Sequence, residues 1–177
     1  KRTMENLEMK TLEKFWQNKR VFITGHTGFK GSWLVLCLLH LGAEICGYST
    51  DSSMRESIFK SNKKRFINNM AHIVGDIQDY SSLRQAIADF QPDIIFHLAA
   101  QPLVLESIEK PLETWKINLI GTNILLEAIK SIKKKCAVII VTTDKVYENN
   151  ELAIACNEND RLGGYEPYSA SKSCVEI

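Results

Sequence analysis

Tyr168 and Lys172 stand four residues apart and form the clearest pair for proton chemistry in the chain. On a helix they share one face, and an ammonium beside a phenol favours the phenolate, lowering a pKa that is ordinarily about 10. A phenolate of this kind can take a proton from a hydroxyl. The spacing alone is weak, because any amphipathic helix can contain it; its place after the last of five predicted strands makes it specific. A second polar group, Thr143-Asp144-Lys145, directly follows that strand. In an open α/β sheet ligands sit outside the carboxyl ends of the strands, where this trio falls. On residue types alone the trio reads equally as a catalytic group and as a polar turn with an exposed ion pair.

The third feature is Thr24-Gly25-His26-Thr27-Gly28-Phe29-Lys30-Gly31, a glycine-spaced turn fed by the apolar run Val21-Phe22-Ile23. Its G-x-x-G-x-x-G spacing is one residue longer at the first gap than the common dinucleotide fingerprint. Gly25 can adopt a backbone that side chains forbid, Gly28 leaves no Cβ between main chain and a pyrophosphate, and Gly31 lets the helix lie close to the strand. The free N–H groups of the helix start face the anion. Glycine triples also occur as plain turns.

These groups need a scaffold, and the hydrophobic periodicity supplies one. Strands are expected at residues 19–24, 44–49, 73–77, 93–101 and 137–142. Helices are expected at 29–41 with Gly42 as its C-terminal cap, at 81–90, from Pro111 with Trp115, Leu119, Thr122 and Leu126 on one face, and from Tyr168. The alternation predicts an α/β fold, a Rossmann-like doubly wound parallel sheet at 19–177, preceded by an N-terminal extension at 1–18. Asp51, 20 residues beyond Gly31, stands where an acidic side chain accepts from an adenosine ribose, favouring NAD over NADP, and reads equally as a turn aspartate. The basic cluster Lys60, Lys63, Lys64 and Arg65 suits either a 2′-phosphate or a solvated face. Asp76 ends the third strand. The fourth closes on the small residues Ala99 and Ala100, which let a cofactor approach, and His97 within it reads as a packed, hydrogen-bonded histidine. Asn118 lies mid-helix, as a support for the site or as the cap of a kink.

Bulk properties narrow the function. A chain of 177 residues suits one domain, and 22 basic against 21 acidic residues leave a net charge of +1, which points to no nucleic acid and no anionic membrane. The five cysteines lack C-x-x-C spacing, and Cys37, Cys46 and Cys136 lie in or beside apolar segments as small hydrophobes; this favours the cytoplasm. No histidine or cysteine pairing has metal-ligand spacing, so no metal is expected. The longest apolar run, residues 33–39, falls far short of the roughly 20 needed to cross a bilayer.

Residues 19–177 resemble an extended short-chain dehydrogenase/reductase, and within that group the nucleotide-sugar 4,6-dehydratases of the CDP-glucose branch. The resemblance rests on Phe15-Trp16, the string from Gly25 to Gly31, the segment from Phe96 to Val104 through Gln101-Pro102-Leu103, Thr143-Asp144-Lys145, and Gly163-Gly164-Tyr165. It implies a redox cycle on CDP-glucose in which NAD takes a hydride from sugar C4, water leaves across C5 and C6, and the hydride returns to C6. It implies that Tyr168 deprotonates the C4 hydroxyl, Lys172 holds the nicotinamide ribose, Thr143 hydrogen-bonds the hydroxyl and Asp144 protonates the departing C6 oxygen. Lys145 occupies the place where many sugar dehydratases carry the glutamate that removes the C5 proton, a role a lysine fills only when neutral.

For the cofactor the resemblance implies contacts from Gly25, Thr27, Gly28, Phe29, Lys30 and Gly31. It adds Asp51 at the ribose, Asp76 and Ile77 at the adenine, and Ala99, Ala100, Gln101, Asn118, Thr142, Tyr168 and Lys172 along the cleft. It also implies a homodimer through helices beginning near Pro111 and Tyr168, and a smaller C-terminal substrate region beyond Ile177, so that 19–177 is expected to be the NAD-binding part of a longer enzyme. The rival readings are a nucleotide-sugar 4-epimerase or reductase on the same scaffold and an NAD-binding module without turnover.

Overall fold

The structure, a computed structural model, describes residues 10–51, 58–148 and 155–177. Part of the expected extension, Ser52 and Ser53 of the turn after the second strand, and residues 149–154 of the loop before Tyr168 lie outside the described residues. Five strands, β1 (Arg20–Thr24), β2 (Glu44–Ser49), β3 (Ala71–Val74), β4 (Ile94–His97) and β5 (Ala137–Ile140), form one parallel sheet in the order β3-β2-β1-β4-β5. Thr24, the last residue of β1, pairs with Tyr48 on one side and His97 on the other. The strand order reverses between β1 and β4, which opens a crevice at their carboxyl ends.

Central strands of such a sheet are covered on both faces, and β1 shows this in its continuous apolar run. Phe22 points into a core with Tyr48, Leu83, Ile87, Ile95 and Leu125, while Val21 and Ile23 point into a second core with Val35, Leu38, Ile45, Phe59 and Phe66. The helices that supply these layers are α2 (Phe29–His40), the short α3 (Ile58–Ser61) and α4 (Lys63–Ile67), α5 (Tyr80–Phe90) and α8 (Gly121–Ala128); α1, at residues 10–16, precedes them. Gly42 ends α2 at φ 84°, and the N–H groups of Gly42 and Ala43 close on Leu39 and Leu38, as the sequence places the cap. Asp79 caps α5 by accepting from the Ser82 N–H at 3.1 Å.

Four expectations are corrected. The third strand is Ala71–Val74, displaced from 73–77; Gly75 N–H makes its last bond to β2, to the Ser49 carbonyl at 3.0 Å, and a Cβ on Gly75 would lie 2.3 Å from Tyr48 Cζ. The fourth strand is Ile94–His97 rather than 93–101, so Ala99 and Ala100 lie in the segment after it. The helix from Pro111 is composite, with α7 (Pro111–Trp115), a π-helical turn (Lys116–Ile120) and α8, after a separate α6 (Val104–Glu109). Its buried face is Thr114, Asn118, Thr122, Leu125 and Ala128, whereas Leu126 is exposed, since the wide turn shifts the pattern and the face turned inward is partly polar. Cys37 is exposed rather than packed, while Cys46 is buried and all five thiols are free. The last helix, α9 (Pro167–Glu176), runs beside α6, α7 and the π turn. Among the described residues no helix is long and apolar enough to cross a membrane.

Candidate active site

The glycine turn is built by close approach. Gly25 stands at φ 72°, and a Cβ on it would lie 2.7 Å from the Ala99 nitrogen, so the turn after β1 touches the segment after β4 directly. A Cβ on Gly31 would lie 2.3 Å from the Gly25 carbonyl oxygen, which is what lets α2 start against the strand. Gly28 differs: it caps α2, and a Cβ there would meet only the Gly25 oxygen at 3.3 Å, leaving the main chain open on its outer side. The first bond of the helix runs from Ser32 N–H to Gly28 C=O at 2.9 Å, so the preceding N–H groups point out of its open end. Phe29 and Lys30 are exposed at that end, and Thr27 is buried with its hydroxyl 2.8 Å from Ser49 Oγ. Gly28's bare backbone and the open helix start fit a dinucleotide pyrophosphate.

A directed polar chain crosses from this turn to the other wall of the crevice. Ala99 N–H donates to Thr24 Oγ1 at 3.2 Å, and Thr24 Oγ1 lies 2.7 Å from His97 Nδ1. His97 Nε2 lies 3.0 Å from Thr122 Oγ1, whose hydroxyl donates to the Asn118 carbonyl at 2.6 Å. Asn118 sits in the π turn and is buried. Its Nδ2 donates to the Gln101 carbonyl at 3.2 Å and to Ser171 Oγ at 3.0 Å, and its Oδ1 accepts from Gln101 N–H at 2.8 Å. Gln101 donates from Nε2 to Leu103 C=O and to Thr114 Oγ1. Both amides therefore bind protein, holding the end of β4 against the helix layer. Burial, aided by the Lys172 charge, pushes His97 down to about 3, so its ring is neutral.

Helix α9 carries Tyr168 and Lys172, the pair that the sequence marks for proton chemistry. Glu166 caps it, accepting from the N–H groups of Tyr168 at 2.7 Å and Ser169 at 3.0 Å, from the Ser169 hydroxyl, and from the Ser107 hydroxyl at 3.0 Å. Burial raises the Glu166 carboxyl, and these four donors outweigh it and hold the group below its ordinary value. Tyr168 is half-buried. Lys172 is buried, donates from Nζ to the Val141 carbonyl at 3.0 Å, and is brought down to about 8 by burial and by the Lys30 charge, Glu176 opposing. The Ser173 hydroxyl faces the carbonyls of Val146, Gly163 and Ser169 and shares its single proton among them, which ties α9 to the 3₁₀ turn at Asp144–Val146.

In that turn Thr143 donates to Asp144 Oδ1 at 3.0 Å and accepts from Lys145 N–H at 3.4 Å; Asp144 and Lys145 are exposed. Thr142 donates to Glu176. Asp51 is exposed at the end of β2, where its charge bears on His72, and Asp76 accepts the Gln78 N–H at 2.9 Å with Ile77 buried beside it. Ala99 and Ala100 are half-buried beside the glycine turn. Lys63, Lys64 and Arg65 lie exposed on α4 and Lys60 on α3. Sequence reasoning overlooked Glu166, Ser171 and Ser173. The one signal was Glu166 ahead of Pro167, a proline at the first helical position, obscured because glutamate is not a favoured cap.

Strand order, glycine turn and the Tyr168/Lys172 helix define a Rossmann-like protein of the short-chain dehydrogenase/reductase type. Residues 22–177 match the family model described as GDP-mannose 4,6 dehydratase, and the chain belongs to that family. It is 48% identical over 165 residues to the CDP-glucose 4,6-dehydratase of Salmonella typhimurium, covering 93% of this chain and 45% of that protein. It is 33% identical to the UDP-glucose 4-epimerase of Yersinia enterocolitica, covering 88% of this chain and 46% of that one. Among solved structures, the Thermus thermophilus UDP-glucose 4-epimerase in complex with NAD is similar at TM-score 0.76 and 27% identity, covering 89% of this chain and 48% of that one. The chain thus spans about half the length of these relatives.

Proposed function

We propose that residues 19–177 are the NAD-binding part of a cytoplasmic nucleotide-sugar 4,6-dehydratase that converts CDP-glucose to CDP-4-keto-6-deoxyglucose. The observation that carries this reading is the joining of two proton-handling groups at one strand end: α9 with Tyr168 and Lys172 is tied through Ser173 to the turn that bears Thr143, Asp144 and Lys145. The 48% identity to a CDP-glucose 4,6-dehydratase supports the substrate, and free thiols support a reducing compartment.

The glycine turn from Gly25 to Gly31 would hold the NAD pyrophosphate, Asp51 the adenosine ribose, Asp76 and Ile77 the adenine, and Lys172 the nicotinamide ribose. Ala99, Ala100 and Thr142 would line the cleft, with Gln101 and Asn118 supporting it from behind. Bound NAD supplies a reversible hydride acceptor. Tyr168 takes the proton of the C4 hydroxyl, with Thr143 holding that hydroxyl. A C4 ketone acidifies the C5 proton, so elimination follows oxidation and needs separate groups. Asp144 in its acid form protonates the departing C6 oxygen, and Lys145 in its neutral form removes the C5 proton.

An epimerase reading has support from the Yersinia relative, but an epimerase has no use for an acid aimed at C6. Incubating the full-length protein with CDP-glucose separates the two: a dehydratase yields a product lighter by one water, and an isomer of unchanged mass overturns the proposal. NAD binding without CDP-glucose binding would leave only a cofactor module. The exposed Leu105, Ile108 and Leu112 along α6 and α7 support a homodimer, which sedimentation of the full-length protein as a single chain would refute.

A further inference from the structure

We propose that His97 is a positioning residue for the proton-transfer step: locked as the neutral tautomer with its proton on Nε2, it sets the π turn and, through Asn118, the distance between the Tyr168 helix and the glycine turn. The proposal rests on the reading of Tyr168 as the base.

The tautomer follows from hydrogen counting. Thr122 has one hydroxyl proton, and it goes to the Asn118 carbonyl at 2.6 Å, because a carbonyl can only accept. Toward His97, 3.0 Å away, Thr122 is therefore an acceptor, and Nε2 must carry the hydrogen. A neutral ring then has a bare Nδ1, which accepts the Thr24 hydroxyl at 2.7 Å. Thr24 in turn accepts from Ala99 N–H at 3.2 Å. Every member of the chain has one available direction. With the ring neutral, reversing the Thr122 link would set two acceptors face to face in a dry interior.

The chain begins where Ala99 touches the glycine turn and ends on Asn118, whose amide fastens both Gln101 and Ser171. Ser171 donates to the Tyr168 carbonyl at 2.7 Å, which completes the path to the phenol's own residue. A π turn is wider than the α-helix on either side, and the Thr122 bond to the Asn118 carbonyl holds part of it in place. His97 fixes Thr122, so it sets where the Tyr168 helix rests without touching a reacting atom. A small misplacement of reacting groups costs catalysis far more than binding, up to about a hundredfold per ångström.

The test uses the full-length protein. Histidine ¹⁵N spectroscopy at neutral pH should show His97 as the Nε2–H tautomer; an Nδ1–H tautomer or an imidazolium would overturn the proposal. Thr122→Val should lower kcat for CDP-glucose by at least tenfold, with NAD affinity and KM within about twofold, and Thr122→Ser should restore it. Unchanged kcat, or a parallel fall of kcat, cofactor affinity and thermal midpoint that serine does not reverse, would reduce His97 to packing. If the valine variant does not fold, the tautomer measurement on the unaltered protein decides. Tyr168→Phe in the same assay probes the underlying reading: retained turnover would remove the base but leave the tautomer standing.

Discussion

Two buried histidines flank the switch point, one on each side of β1, and they are held by opposite means. His26, inside the glycine turn, lies between β2 and β3. Its Nε2 is 2.7 Å from His72 Nδ1, its ring meets Phe59 edge-on, and its Nδ1 has no hydrogen-bond partner among the described residues. His97, on β4, has both nitrogens bound to hydroxyls. Burial leads the fall of both to about 3, helped by His72 at one and Lys172 at the other, so charge does not distinguish them. Shape holds His26: β2 must offer glycine opposite it, because a Cβ on Gly47 would lie 2.4 Å from the ring. Hydrogen-bond direction holds His97. A buried histidine can thus serve as a wedge or as a link in a directed chain, and only the second transmits position to a site.

Replacing the link should cost most. His97→Leu strands the Thr24 hydroxyl and removes the anchor of Thr122, and we expect a loss of about 3 kcal/mol in urea unfolding of the full-length protein. A loss under about 1 kcal/mol would show that the polar chain is dispensable. Gly47→Ala tests the wedge: overpacking should cost about 2 kcal/mol, and combining it with His26→Ala should recover most of that, because the clash is between those two positions. Additive losses in the cycle would mean that His26 is not held by shape.

The smallest effect is expected at the cap of α9. Glu166→Gln should cost about 1 kcal/mol near neutral pH. The native carboxyl lies below its unfolded value of 4.5, so its contribution is present above that pH and is lost as pH falls through the folded value. The glutamine variant should therefore show a flatter acid limb in stability against pH, and an unchanged limb would mean that Glu166 holds nothing at the helix start.

The same contrast explains what could be read from sequence. Positions set by backbone shape were legible: Gly25 and Gly42 at positive φ, the strands over Glu44–Ser49 and Arg20–Thr24, and the start of α2 at Phe29. These depend on neighbours in the chain, which local patterns record. The directed chain was not legible, because Thr24, His97, Thr122, Asn118 and Ser171 come from four distant segments and only the fold brings them together. The helix from Pro111 was misread for a related reason. Its inward side carries Thr114, Asn118 and Thr122, so apolar periodicity found Thr122 but set the face off by about one residue elsewhere, with Leu126 exposed. Glu166 escaped notice because glutamate is not a favoured cap, and its one distant donor, Ser107, lies 59 positions away.

The wide turn at Lys116–Ile120 has a consequence of its own. A π turn holds one residue more than the α-helical ladder would need, so excising a single residue there would let the ladder close and bring the backbone nearer to its preferred form. The shortened protein would gain local helical regularity while Asn118 rotated away from Gln101 and Ser171. At this point the chain keeps a small local imperfection, and the alignment of two distant segments depends on it.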